Sequence, residues 1–237
     1  MSTEQQINYG LNHYKMGAYQ QAIPSLVAAA DHLEKDTPKD PRLVDVLIAL
    51  GEMAQSEKRK DLASDFYQRA FKTAEELKPQ DSTKLRNALV PFGLFNLQDH
   101  PSDAIHLLQR AELISRSYED QVLNVIDQDN LALAYNANKE FERANATSLH
   151  ALEVLKNIKS GKLINRTKAV ILHNLAYNQM DMGRYAESES NFKESLAVMR
   201  SAPNEIEAWR LRRVKSSYAL LLRKLGRESE AVAIETN

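Results

Sequence analysis

Apolar residues recur along this chain with the three-and-four spacing of one helix face, interrupted at regular intervals by short polar turns. The pattern is clearest in His173–Ala197, HNLAYNQMDMGRYAESESNFKESLA. Leu172, Leu175, Ala176 and Gln179 share one face before the turn Met182–Gly183–Arg184, and Tyr185, Ser188, Phe192, Ser195 and Leu196 share one after it. The spacing predicts two helices joined tightly. Gly183 can end the first in the left-handed conformation, and Ala176, Ser188 and Ser195 let the two backbones approach. Such a hairpin cannot bury its apolar face alone and needs copies of itself.

The copies are present. A first helix around Asn8–His13 ends at Met16–Gly17, and Tyr19, Ala22, Leu26 and Ala29 open its partner, with Pro24 early in that helix. Leu47, Leu50, Gly51 and Ala54 pair with Ala63, Tyr67, Ala70 and Phe71, although Lys58–Arg59–Lys60 replaces the Gly turn there. Lys78–Ser82 breaks the chain, with Asp81 or Ser82 as N-cap. The third unit, from Leu85, holds Pro91 and Gly93, which predicts a kink or a late helix start, before Ala104, Ile105, Leu108 and Ala111. Leu131, Ala132 and Tyr135 then pair with Phe141, Ala144, Ser148 and Ala151, and Lys159–Lys162 separates this unit from the next. Tyr218, Ala219, Leu222, Gly226 and Ala231 mark the last.

The first small residue after each turn is Ala22, Ala63, Ala104, Ala144, Ser188 and Ala231, in steps of 41, 41, 40, 44 and 43 residues. Six units at a near-constant period indicate a helical solenoid. Leu-Ala-Tyr, Gly-x-Tyr and small-x3-aromatic-x2-small together resemble the tetratricopeptide repeat (TPR). The likeness is strongest in Leu175–Ser195 and weakest in the third unit, and the long period resembles the kinesin light chain subclass. The resemblance implies an all-α, right-handed α-solenoid of about six antiparallel hairpins, the last incomplete. It forms a single domain over residues 1–237, with units near 3–36, 43–77, 83–116, 121–158, 163–200 and 204–237. First helices would line a concave groove and second helices its convex back.

Composition removes several classes of function. A formal net charge of −1 provides no global field for nucleic acid or anionic membrane. There is no Cys, hence no disulfide, thiolate metal site or Cys nucleophile. MSTEQQINYG lacks the pattern of a signal peptide, and no apolar run of 18 residues spans a membrane, which places the expectation at a cytoplasmic protein. Phosphate loops, HExxH and Gly-x-Ser-x-Gly do not occur. His100, Asp103 and His106 straddle a loop and a helix start, where Asp103 reads as a first-turn charge rather than a metal ligand. Asn145-Ala-Thr and Asn165-Arg-Thr match the glycosylation pattern by chance. Neither catalysis nor a cofactor or metal is expected.

The groove face predicted from the repeat holds Asn8, Asp129, Asn130, Leu133, His173, Asn174 and Tyr177. Asn130 and Asn174 stand in matching phrases, DNLALAY and HNLAYNQ. In the resembling family an Asn at this place bonds the backbone of an extended peptide, a role that suits an amide with both donor and acceptor. Both side chains are expected off the buried stripe, so that replacing them spares the fold, with Asp129 and His173 setting charge preference. The carboxylate clamp of TPR co-chaperones is not matched, since Ile7 and Ala49 stand where the clamp has Lys and Asn. Arg210, Arg212, Arg213 and Lys215, beside Trp209, form a basic segment that reads as a solvated face or as a patch for an acidic partner. The short final helix, near Ser229–Asn237, is expected to fray, with Leu220, Leu221 and Leu225 partly exposed or covered by a partner or second copy. The reading is a non-enzymatic module that binds a peptide segment or partner helix in its groove. The alternatives are a scaffold self-associating through its C-terminal end and, less favoured, a signalling-peptide receptor or regulatory subunit.

Overall fold

The computed structural model describes residues 1–77, 82–158 and 163–236. The proposed cap at Asp81 and the separator Lys159–Lys162 lie outside them. Twelve helices are found among the described residues: α1 (Thr3–Lys15), α2 (Tyr19–Asp36), α3 (Pro41–Ser56), α4 (Lys60–Glu76), α5 (Ser82–Asn96), α6 (Pro101–Ser115), α7 (Gln121–Ala137), α8 (Phe141–Asn157), α9 (Ile164–Asp181), α10 (Tyr185–Ser201), α11 (Ala208–Lys224) and α12 (Glu228–Thr236). They fall into two compact units, Met1–Ile114 and Ser115–Asn237.

The helices begin and end where local chemistry dictates. Ser2 caps α1 in a reciprocal box with Gln5, and Asp40 caps α3 ahead of Pro41. Hairpins close on a left-handed residue followed by a bond back over the last turn. In the hairpin turns the residues with positive φ are Gly17, Lys58, Lys139, Gly183 and Gly226. The closing bonds run from the next amide: Ala18 to His13 O at 2.8 Å, Arg59 to Ala54 O at 2.9 Å, Glu140 to Tyr135 O at 2.8 Å, Arg184 to Gln179 O at 2.8 Å and Arg227 to Leu222 O at 2.9 Å. The turn at Lys58 therefore closes as the Gly turns do, with a lysine accepting φ of 60°. The third hairpin closes differently, His100 N–H donating to Asn96 O at 2.9 Å.

Within the first unit the small-residue column is fully buried, Ala22, Ala63 and Ala104 each at 0% exposure. Glycine on the facing helix admits large partners. A Cβ on Gly51 would lie 2.7 Å from the Tyr67 ring, so that ring packs directly on α3 backbone. Tyr67 continues to Phe95 of α5, ring centres 5.3 Å apart, giving this unit an aromatic seam. The expected late start at Pro91 is not seen. α5 begins at Ser82 and runs through the proline, whose missing N–H costs one helical bond. Ile7 and Ala49 are both core positions, 4% and 2% exposed.

The second unit packs α9 on α10 through buried serines. Ser188 Oγ donates to Ala176 O and Ser195 Oγ to Ala169 O, both at 2.7 Å. Phe192 and Tyr218 stack at 5.7 Å. At the end of the unit Leu220 is exposed and Leu225 half-buried, but Leu221 is buried in the core against expectation. Consecutive residues of a helix point about 100° apart, so three leucines at 220, 221 and 225 cannot share one fate. Among the described residues, no helix is long and apolar enough to cross a membrane.

Candidate ligand-binding pocket

First helices α7, α9 and α11, with α8 behind, enclose a pocket of about 280 Å³ in the second unit. Its wall holds Ala132, Leu133 and Asn136 from α7, Ala144 and Ser148 from α8, His173, Asn174, Tyr177 and Asn178 from α9, and Arg213 and Ser217 from α11. Four residues expected on the groove, Leu133, His173, Asn174 and Tyr177, thus meet at one site. The helical period explains this, since 173, 174 and 177 lie on one side of α9.

The remaining expected residues lie elsewhere. Asn8 is exposed on α1 in the first unit, and Asn130 is half-buried on α7 outside the pocket wall. Asp129 is buried, 5% exposed, instead of lying open on a groove. Its Oδ2 accepts from Asn174 Nδ2 at 2.9 Å, and its Oδ1 has no hydrogen-bond partner among the described residues. Burial pushes this carboxyl up to about 7, with the Asn174 bond partly offsetting the rise. Asp129 therefore holds Asn174 from behind and is not among the residues that wall the pocket. The basic segment also divides. Arg210 is tied to Glu207 at 2.7 Å with its guanidinium 4.3 Å from the centre of the Trp209 ring. Arg212 is exposed, Lys215 half-buried, and Arg213 lines the pocket.

His173 Nε2 lies 3.0 Å from Ser217 Oγ. Burial above all, and then the Arg213 charge, push the imidazole down to about 4, against a smaller opposing effect of Asn174. The ring is neutral at pH 7 and can bond but carries no charge. Asn136, Asn178 and Ser148 were not anticipated as site residues. Asn136 Nδ2 donates to Asn178 Oδ1 at 2.9 Å, and Asn178 Nδ2 to Phe141 O at 3.0 Å, bonds that fix α9 against the α7–α8 turn. A signal existed: the two asparagines are 42 residues apart, one repeat. Asn145 of the sequon-like triplet is buried, accepting from Gln179. Asp103 stands in the first turn of α6, and no three His, Asp or Glu residues that could hold a metal meet among the described residues.

No family model and no curated protein sequence matches the chain. Solved structures do. The chain matches kinesin light chain nearly identical TPR-like repeats from Podospora anserina at 14% identity and TM-score 0.70, covering 85% of this chain and 96% of that one. It matches aspartyl phosphate phosphatase F from Bacillus subtilis at 16% identity and TM-score 0.73, over 96% of this chain and 57% of that one. A Rap protein complexed with competence and sporulation factor matches at 15% identity and TM-score 0.67, over 98% and 74%. With the repeating hairpins already described, these place the fold: the chain is an all-α helical-repeat protein of the TPR type.

Proposed function

We propose that the protein is a peptide-binding interaction module whose working site is the pocket walled by α7, α8, α9 and α11. The observation that carries this reading is the convergence of Leu133, Asn174, Tyr177 and Arg213, side chains from three successive first helices, on one concave site. Concave, largely preformed sites with a few placed polar groups suit ligand recognition. The amide of Asn174 is held by a buried carboxylate and is thereby preorganised. One structural relative was solved complexed with competence and sporulation factor, and another, of 18% identity and TM-score 0.68, is the apo form of the quorum sensor NprR from B. thuringiensis. These support a peptide as the class of ligand.

The test uses a phage-displayed library of random peptides selected on the parent protein. Tyr177→Ala and Leu133→Ala remove side chains that are not fully buried, so both variants should melt within about 0.5 kcal/mol of the parent. Each should bind the selected peptides at least tenfold more weakly by calorimetry. No selected peptide, or equal binding by both variants, would reject the reading. Self-association is the second reading, favoured by the exposed Leu220 and Val232 near the C-terminal end. A mass by sedimentation that doubles with concentration, and reverts in Leu220→Glu, would support it.

A further inference from the structure

The pocket lies where one residue breaks a column among the five full-length second helices. Four positions beyond the small residue that opens each of them stand Leu26, Tyr67, Leu108, Ser148 and Phe192, while the short last helix carries the charged Glu235 at that place. The four large members are at most 1% exposed and fill the seam between the two helices of their own hairpin. A Cβ on Gly10, Gly51 or Gly93 would meet Leu26, Tyr67 or Leu108 at 2.5–2.7 Å, which shows how closely these side chains press on the facing helix. In the fourth hairpin the column holds Ser148, and Ala132 faces it. A serine cannot fill the space of a leucine or a ring, and close-packed interiors do not keep such space by default. Ser148, Ala132 and Ala144, each only 1–3% exposed, instead form the inner wall of the 280 Å³ pocket.

The charge at this site points the same way. Among the described residues Arg213 has no carboxylate partner, whereas Arg210, one turn earlier, is held by Glu207. The Arg213 charge is felt at His173, which is neutral and supplies no compensating anion. Building on the peptide-binding reading above, we propose that the pocket is a socket for one bulky apolar side chain of an extended peptide, aromatic or branched aliphatic. The ligand replaces the missing fourth member of the column, and a peptide carboxylate beside that anchor pairs with Arg213. Asn174, held from behind by Asp129, lies where the backbone on either side of the anchor must pass.

Peptides selected from the random library should share a Phe, Tyr, Trp, Leu or Ile with a carboxylate within two positions. Amidating the C-terminus separates a terminal carboxylate from an Asp or Glu side chain. Replacing the anchor by Ala should weaken binding at least tenfold. Ser148→Phe should plug the socket, weakening the same peptides at least tenfold while melting no lower than the parent. Ser148→Leu makes the same test with a smaller plug should the ring fail to fold. Arg213→Gln should weaken acidic peptides at least fivefold and leave neutralised analogues unchanged. Full binding by both Ser148 variants, with loss in Tyr177→Ala, would sink the socket and leave the groove reading standing. Full binding by the Tyr177, Leu133 and Ser148 variants alike would sink both. Selected peptides without a shared bulky apolar position would overturn the socket alone.

Discussion

Two buried titratable groups, Asp129 on α7 and His173 on α9, act on stability with opposite signs. Asp129 is pushed up to about 7, so between the ordinary carboxylate range and pH 7 the folded protein holds more protons than the unfolded one. Stability on its account falls as pH rises through that window. His173 is pushed down to about 4, so the unfolded protein holds more protons between pH 4 and about 6.5, and stability on its account rises there with pH. In the parent the two slopes, each up to about 1.4 kcal/mol per pH unit, oppose one another. Urea unfolding from pH 4.5 to 8 should therefore change little in the parent, rise with pH in Asp129→Asn, and fall with pH in His173→Gln. Slopes of the same sign in the two variants would show that one of the groups is not buried as described. The pairing also alters what Asn174→Ala would do. That change strips Asp129 of the one partner it has among the described residues, so it should cost about 1–3 kcal/mol of stability, whereas an open groove position would have cost almost nothing. Tyr177 and Leu133 are the cleaner probes of binding for that reason.

The hairpin is the element on which the rest depends, and its turn and seam can be tested separately. Lys58 and Lys139 occupy left-handed positions that Gly takes in three other hairpins. A non-Gly residue there costs about 1–2 kcal/mol, part of which Gly returns through its greater freedom when unfolded. Lys58→Gly and Lys139→Gly should each raise stability by about 0.5–1 kcal/mol in thermal melts, and a loss of stability would contradict the turn assignment. On α8, Ala151 is fully buried beside Val125, Leu155 and Ile171. Ala151→Leu should overpack that seam and cost about 1–3 kcal/mol, while Ser148→Leu, less than one turn away at a buried position (2% exposed) on the pocket wall, should cost less. Equal effects at the two positions would mean that the socket is not there. α12 buries only Ala231 and is held at its rim by Arg223–Glu235 and by Arg227, which reaches Glu189 on α10. Exposed ion pairs of this kind contribute little, so amides of Glu228–Thr236 should exchange faster than those of α9 and α10. Matching protection would contradict it.

For the whole molecule, the repeat was legible because its signals are local: a helical period, a turn chemistry and a column of small residues, each recurring about every 42 positions. Four of the seven groove residues also came from that register, since His173, Asn174 and Tyr177 share one side of a helix and Leu133 is set by its own. What was not legible depends on neighbours across helices. Asp129 adjoins Asn130 in sequence, yet only the bond from Asn174 reveals its place in the interior. Arg210 and Arg213 are the same residue three positions apart, and only the structure shows that Glu207 holds the first while the second reaches the pocket. Ser148 was visible as a small residue at helical spacing. Its meaning appears only once Leu26, Tyr67, Leu108 and Phe192 are seen filling the same seam elsewhere. The claim joining these observations is that α7, α9 and α11 present the working surface. Amide chemical-shift mapping of the labelled protein, titrated with a library-selected peptide, tests it most directly. Shifts should gather on Leu133, Asn136, His173, Asn174, Tyr177 and Ser217 and be absent in Ser148→Phe. Shifts gathered instead on α10 or α12, with that pocket silent, would contradict it.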